Sequence, residues 1–376
     1  MFDVLISGAG PAGAVAATVL ARAGARVLVL DRARFPRDKL CGDTVNPGAL
    51  AVLRRLGLEA AAATGLPIDG MIVTGESGIR IDGRYGHLQG RALRRRELDE
   101  VLVHAAAAAG ARVEEGVLVQ GPVLAASGGE PVVAGLTITG RDGRSMRVTA
   151  PMVIAADGRY SRVARALGLS RSPRRPRRWA IGAYFEGVHA LTSCGEMHVR
   201  ARHYLGVAPL AGGLANVCLV TTDVMRQSVK ELLLTALRND RQLADRFRGA
   251  RMVGGPVCVG PLAVECEAAG ADGLLLAGDA SGFVDPMTGD GLRFAFRGGE
   301  LAAEEALRAL EHGGTDAHVR LLAARRREFA RKWRFNRVMR LLVTFPATVR
   351  ASAYGAAIAP RLLQRAIRYA GDVHAT

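Results

Sequence analysis

Three glycines near the start of the chain have the spacing that holds a diphosphate. Gly8-Ala9-Gly10-Pro11-Ala12-Gly13 directly follows the apolar run Asp3-Val4-Leu5-Ile6-Ser7. An Ala-rich run from Ala14 to Ala23 comes next, and Gly24 ends it. Arg26 to Leu30 reads as a second buried strand, closed by Asp31. Gly8 suits a tight turn, Gly10 lets backbone approach a pyrophosphate, and Gly13 lets helix pack on strand. The helix start at Pro11 and Ala12 offers the free N–H groups that follow the proline, and a partial positive charge, to phosphates. Asp31 sits where an acid accepts a hydrogen bond from an adenosine ribose. The pattern does not say which dinucleotide binds.

A second constellation lies late in the chain. Leu274-Leu275-Leu276-Ala277 reads as a buried strand, and Gly278-Asp279 puts an acid at its C-terminal end, where open α/β sheets bind ligands. The loop Ser281 to Leu292 follows, with Pro286, Gly289, Asp290 and Gly291 before a helix that starts near Leu292. Such a loop presents N–H groups to a flavin edge or to phosphate. Cys41, between Lys39-Leu40 and Gly42, is either a proton donor or a small packing residue. His198 and His203 show no metal spacing and are expected on the surface or lining a pocket, and no metal site is expected. Glu265 and Glu267 fit an edge strand without chemistry.

The elements between these loops alternate strand and helix, with a β-rich middle. Helices are expected over Pro47 to Leu56, Arg95 to Ala109 and Val229 to Arg248. Met71–Val73 and Ile79–Ile81 form a hairpin pair around Gly75–Gly78. A second hairpin turns at Arg141-Asp142-Gly143. Met152 to Ala156 is a buried strand that ends at Asp157-Gly158. Residues 170–178 read as a linker. Strands follow over Ala180–Glu186, Glu196–Val199, Leu205–Ala208 and Ala215–Thr221.

Composition narrows the class. A chain of 376 residues buries a large core. The five cysteines form no Cys-x-x-Cys pair, which argues against a disulfide framework, a structural zinc or an iron–sulfur cluster and suits a reducing cytoplasm. The glycine loop begins at residue 8, so no targeting peptide is expected before it. No apolar run reaches transmembrane length. The net charge of +16 rests almost wholly on arginine, without an aromatic-interleaved basic stripe, so nucleic acid is not expected as a partner. Arg320 to Arg340 is a basic helix that either lies on an anionic membrane or packs on the sheet.

Together these motifs resemble the FAD-dependent oxidoreductases of the para-hydroxybenzoate hydroxylase fold, and within it the geranylgeranyl reductase family. Three motifs carry the fold: Gly8-x-Gly10-x-x-Gly13 with Asp31, Ala156-Asp157-Gly158 followed by Ser161 and Arg165, and Gly278-Asp279 with its loop. The string from Gly278 to Gly291 carries the family, where Asp290 replaces the usual Glu. Arg37-Asp38-Lys39-Leu40-Cys41-Gly42 is similar to the family's Lys-x-Cys-Gly segment, and Tyr204 to Val217 to its strand and glycine-rich turn. The Ala-His and Asn of the hydroxylases, and the Trp-x-Trp-x-x-Pro of the halogenases, are missing.

The resemblance implies an α/β fold in which a Rossmann-type FAD-binding domain (1–70, 90–168 and 268–310) interleaves with a β-sheet substrate domain (71–89 and 169–267), ahead of a C-terminal helical region (311–376). It implies that Gly8, Gly10 and Gly13 hold the pyrophosphate, that Asp31 with Arg32 meets the ribose, and that Arg95 reaches the pyrophosphate. Val119 would offer backbone to adenine, and Asp279 would meet the ribityl chain or pyrophosphate. Gly289 to Gly291 would lie against the isoalloxazine, and Asp157 belongs to a motif of mixed structural and cofactor role. FAD is the implied cofactor, and NAD(P)H a candidate electron donor. The implied reaction is hydride transfer to a carbon–carbon double bond of an apolar substrate, with aromatic hydroxylation and electron transfer to a partner as alternatives.

Overall fold

The computed structural model describes residues 1–75, 78–126, 131–173, 177–222, 224, 228–283, 285–313, 316–342 and 360–373. Part of the expected linker, the tip of the Gly75–Gly78 turn, Val284 and Val343 lie outside the described residues. Eight α-helices are described: α1 Pro11–Arg22, α2 Pro47–Arg55, α3 Arg95–Ala108, α4 Arg162–Ala166, α5 Val229–Asn239, α6 Gly291–His312, α7 Ala317–Leu342 and α8 Pro360–Ala370.

A six-stranded sheet runs in the order Gly270–Ala271, Leu274–Leu276, Met152–Ala155, Val4–Ser7, Val27–Asp31, Arg112–Glu115. Its neighbours are parallel except at the Gly270–Ala271 edge. The chain starts in the middle of this sheet and leaves to one side, and later segments pair on the other side. The C-terminal end of Val4–Ser7 is therefore a topological switch point, and the glycine loop leaves from it into the crevice that such a switch opens. Val4 and Ile6 point into a core shared with α1, α3 and α6, and Leu5 points into a second core on the opposite face. That alternation is the period of a strand buried on both sides.

A seven-stranded sheet stands beside it, in the order Arg251–Val259, Trp179–Glu186, Ala215–Thr221, His203–Pro209, Cys194–Val199, Gly70–Thr74, Arg80–Arg84. The first sheet thus takes its strands from separated stretches of the chain, and the strands of the second come from the stretches between them. Helix α7 buries Leu321, Ala324 and Phe329 in the core of the first sheet. Helix α8 lies against the Arg80–Arg84 strand of the second sheet. Among the described residues no helix is long and apolar enough to cross a membrane.

Local expectations fail in three places. The helix expected to Arg248 stops at Asn239, because the Asp240 carboxylate accepts the N–H groups of Gln242 and Leu243 and pairs with Arg200 at 2.7 Å. Arg251–Val259 forms a strand that its Gly254-Gly255-Pro256 run concealed; it lies at a sheet edge, with a register shift between Gly182 and Tyr184 of its neighbour, where Gly and Pro are tolerated. His198 is not at the surface, nor does it line the cavity described below. It is 1 % exposed, and its ring joins Thr74 Oγ1 at 2.9 Å to Glu196 Oε2 at 2.9 Å.

Arg246 donates to both oxygens of the same Glu196, at 2.6 and 2.8 Å. Burial works to raise this carboxyl, but the bonds from His198 and Arg246 hold it at about 2. A depressed acid stabilises the fold above its ordinary range and loses that contribution as pH falls. Between the ordinary carboxylate range and pH 2 the native protein is expected to lose about 3 kcal/mol through this group. Urea midpoints measured down that range should fall less steeply in Glu196→Gln.

Candidate functional site

The glycine loop is shaped by contacts a side chain would break. Gly8 has φ +98°, and a Cβ there would stand 2.5 Å from the carbonyl oxygen of Ala156. At Gly13 a Cβ would stand 1.8 Å from the Gly8 carbonyl oxygen, so the helix packs against the turn. Gly10 differs. Its backbone is ordinary extended (φ −69°, ψ −178°), and the nearest atom to a Cβ is Arg37 Nη2 at 3.5 Å. Gly10, Pro11 and Ala12 help to line a cavity of about 290 Å³.

The second loop reaches the same cavity. Gly278, Asp279, Pro286, Gly289 and Gly291 all line it. Gly289 holds φ +69°, a left-handed turn that lets α6 begin at Gly291. Neither α1 nor α6 has a side chain capping its first turn, so free N–H groups of both helices lie at the cavity. The helices touch closely, since a Cβ on Gly299 of α6 would stand 2.2 Å from the Ala12 carbonyl oxygen.

Charge at this end favours an anion. Arg95 donates to Asp99 through Nε and Nη2, both at 2.8 Å, and Arg37 Nη1 lies 3.0 Å from the same carboxylate. Arg159 Nη2 sits 3.4 Å from Asp279, while its buried Nη1 has no hydrogen-bond partner among the described residues. Burial and the guanidinium groups of Arg95 and Arg37 push the Lys39 ammonium down to about 8. Four cations therefore face two carboxylates next to Gly10. A diphosphate would complete that set. The open approach at Gly10, two uncapped helix starts, surplus positive charge and an orphaned guanidinium nitrogen all fit FAD.

Cys41, Gly42 and Arg95 line the cavity too. The segment is pinned from behind by Asp43, at left-handed φ +53°, whose carboxylate accepts from Asn216 at 2.5 Å, Tyr184 at 2.8 Å and Arg95 N at 3.3 Å. Burial raises Asp43 to about 6 against these bonds. Asn216 and Cys218 both donate to the Cys41 carbonyl, at 2.9 and 3.2 Å. Burial also pushes the Cys41 thiol up, although Arg95 pulls the other way.

Other expected site residues stand outside the lining. The Asp31 carboxylate accepts the N–H groups of Ala9 and Ala33, both at 2.8 Å, and so braces the glycine loop. Arg32 is exposed, and Val119 is packed in the core. Asp157 accepts from Arg162 N at 3.0 Å, at the start of α4. The Asp290 carboxylate turns away from the cavity towards Asn46 at 3.2 Å and Lys332 at 3.4 Å. Lys39 and Arg159 were not read as site residues, and α8, within the expected C-terminal helical region, was not assigned to the cavity. Lys39 and Arg159 each lie beside a recognised motif, and their charge was the available signal. For α8 the only signal was the Ala366, Ile367, Ala370 spacing, which says nothing about its partner.

Apolar side chains, Ile68, Met71, Tyr85, Phe335 and Met339 among them, also line the cavity.

Comparison with known proteins agrees with this geometry. Residues 1–219 match the family model described as an FAD binding domain. The chain is 35% identical over 335 residues to digeranylgeranylglycerophospholipid reductase 2 of Methanopyrus kandleri, covering 84% of this chain and 79% of that protein. It is 28% identical to the menaquinone reductase of Mycolicibacterium smegmatis, covering 99% and 91%. The solved structure of a geranylgeranyl bacteriochlorophyll reductase-like protein of Thermoplasma acidophilum shares the fold, with a TM-score of 0.79 at 24% identity, over 93% of this chain and 89% of that one. The chain belongs to the FAD-dependent oxidoreductases of the geranylgeranyl reductase family.

Proposed function

We propose that this protein reduces carbon–carbon double bonds of an isoprenoid or similar apolar substrate. One observation carries the reading: a single cavity is lined by both glycine loops and by a set of apolar side chains. FAD, when bound, supplies the hydride chemistry. The chain's own residues bind, orient and protonate. The α1 start and the cations around Gly10 hold the diphosphate. The Gly289–Gly291 turn positions the ring system against the cavity. The apolar walls exclude water and seat the substrate by burial. The Cys41 thiol stays protonated at neutral pH and can give a proton to the carbon next to the one that receives hydride. Relatives named as reductases of menaquinone and of digeranylgeranylglycerophospholipid support the substrate class. NAD(P)H is the proposed electron donor, docking transiently, because the sequence holds one dinucleotide fingerprint.

The test is anaerobic. Purified yellow protein is reduced with NADPH under nitrogen, then mixed with geranylgeraniol. The expected result is return of the oxidised flavin spectrum and a product heavier by one hydrogen molecule per bond reduced. Reoxidation that requires both oxygen and an added phenol would overturn the reading in favour of hydroxylation.

A further inference from the structure

We infer that α8 forms one wall of the substrate cavity, running away from the flavin loop, and that Ala366 on its inner face limits how far an apolar chain can run from that loop. The inference rests on the proposed reading of the cavity as the seat of a chain-like substrate, and it adds the element that measures the chain.

Ala366, Ile367 and Ala370 all line the cavity, although they lie far in sequence from both cofactor loops. The helix is held in one register. Lys332 Nζ donates to the carbonyl oxygens of Tyr369 and, at 3.0 Å, of Ala370. Asn46 Nδ2 reaches the Ala370 carbonyl at 3.3 Å and the Gly289 carbonyl at 3.5 Å. Gly48 N donates to the Gly371 carbonyl at 3.2 Å. Ile367 is keyed into the sheet, because a Cβ on Gly83 would stand 2.3 Å from its Cγ2. A wall fixed this way cannot slide aside for a longer ligand.

The direction of travel follows. Ala370 shares Asn46 with Gly289, so it marks the flavin end of the helix. Ala366 lies four residues earlier, about 6 Å further along the axis. Both offer only a methyl group, and Arg361, Arg365 and Arg368 are exposed on the outside. One turn beyond Ala366, Leu362 is 68% exposed, so the helix has left the cavity there. A chain that starts over the flavin loop passes Ala370 and reaches Ala366 last.

The experiment uses the flavin-loaded protein in its oxidised state, without reductant. Geraniol, farnesol and geranylgeraniol are titrated, with decanol, hexadecanol and eicosanol as a second series, and binding is read from the flavin visible spectrum. In the wild type, affinity is expected to rise with chain length. In Ala366→Trp the loss of affinity should grow with chain length, reaching at least about tenfold for the longest member of each series. Ala366→Leu should show a smaller shift in the same direction, and flavin content confirms that each variant is folded. No length dependence in the wild type would overturn the inference. So would equal binding of all chain lengths by wild type and folded variants, or an equal loss at every length. A moved length limit in a protein that never reduces a prenol would keep α8 as the wall and remove the proposed reaction instead.

Discussion

Gly10→Val is expected to fold and to lose its FAD. The two halves of that result have separate causes. The backbone at Gly10 is extended, as the residue before a proline usually is, and valine adopts it without strain. Nothing lies closer to the new Cβ than the end of the Arg37 side chain at 3.5 Å, so the fold has room. The isopropyl group then stands in the approach that a pyrophosphate needs to reach the α1 N–H groups. Losing charge-assisted hydrogen bonds to those groups costs about 3 kcal/mol or more, over a hundredfold in affinity. Gly13→Val is the control that behaves oppositely. Its Cβ would meet the Gly8 carbonyl at 1.8 Å, so the variant should fail to fold at all. The measurement is the ratio of flavin to protein absorbance after purification, beside a circular dichroism spectrum. Native flavin content in folded Gly10→Val would remove the diphosphate from this loop.

Lys332→Met is expected to destabilise the protein by about 3–5 kcal/mol, as removal of one partner from a buried charge cluster does. Lys332 is 4% exposed. It lies 3.4 Å from Asp290 and 3.0 Å from Asp372, and it caps the C-terminal end of α8. Arg293 Nε remains on Asp372 at 2.7 Å, so Asp290 bears most of the loss. Burial already raises Asp290 to about 6, even with Lys332 pulling it down. Without the lysine it must rise further. A raised acid contributes stability below its ordinary range and loses it as pH climbs through the folded value. The deficit of the variant should therefore be larger at about pH 8 than at about pH 5. Adding Asp290→Asn should recover part of it, because a neutral amide needs no cation. Equal unfolding midpoints for the variant and wild type at both pH values would show that the cluster does not hold α8 and the flavin loop together.

Both results turn on residues that differ in how openly the sequence announced them. The glycine loop and the Gly278-Asp279 strand end were readable because their signals are local: an apolar run, a glycine triplet and an acid at set spacings. The strands of the middle sheet were readable for the same reason, since alternation is a property of neighbours in sequence. The direction in which Asp290 points was not. It stands within the motif string, but its carboxylate is claimed by Asn46 and Lys332, each far away along the chain. Likewise His198 looked like a surface group until Glu196, Thr74 and Arg246 closed around it.

By itself the amino-acid sequence determined a glycine loop suited to a dinucleotide and a second loop suited to a flavin edge or a phosphate. Short-range backbone geometry suffices for that, because a turn, a helix start and a strand end need only a few adjacent residues. Only the tertiary structure decided that both loops open into one cavity, which cations gather beside Asp99 and Asp279, and that α8 lines the same cavity. Those facts depend on how two sheets and the last helix pack, and packing joins surfaces whose residues share no local pattern.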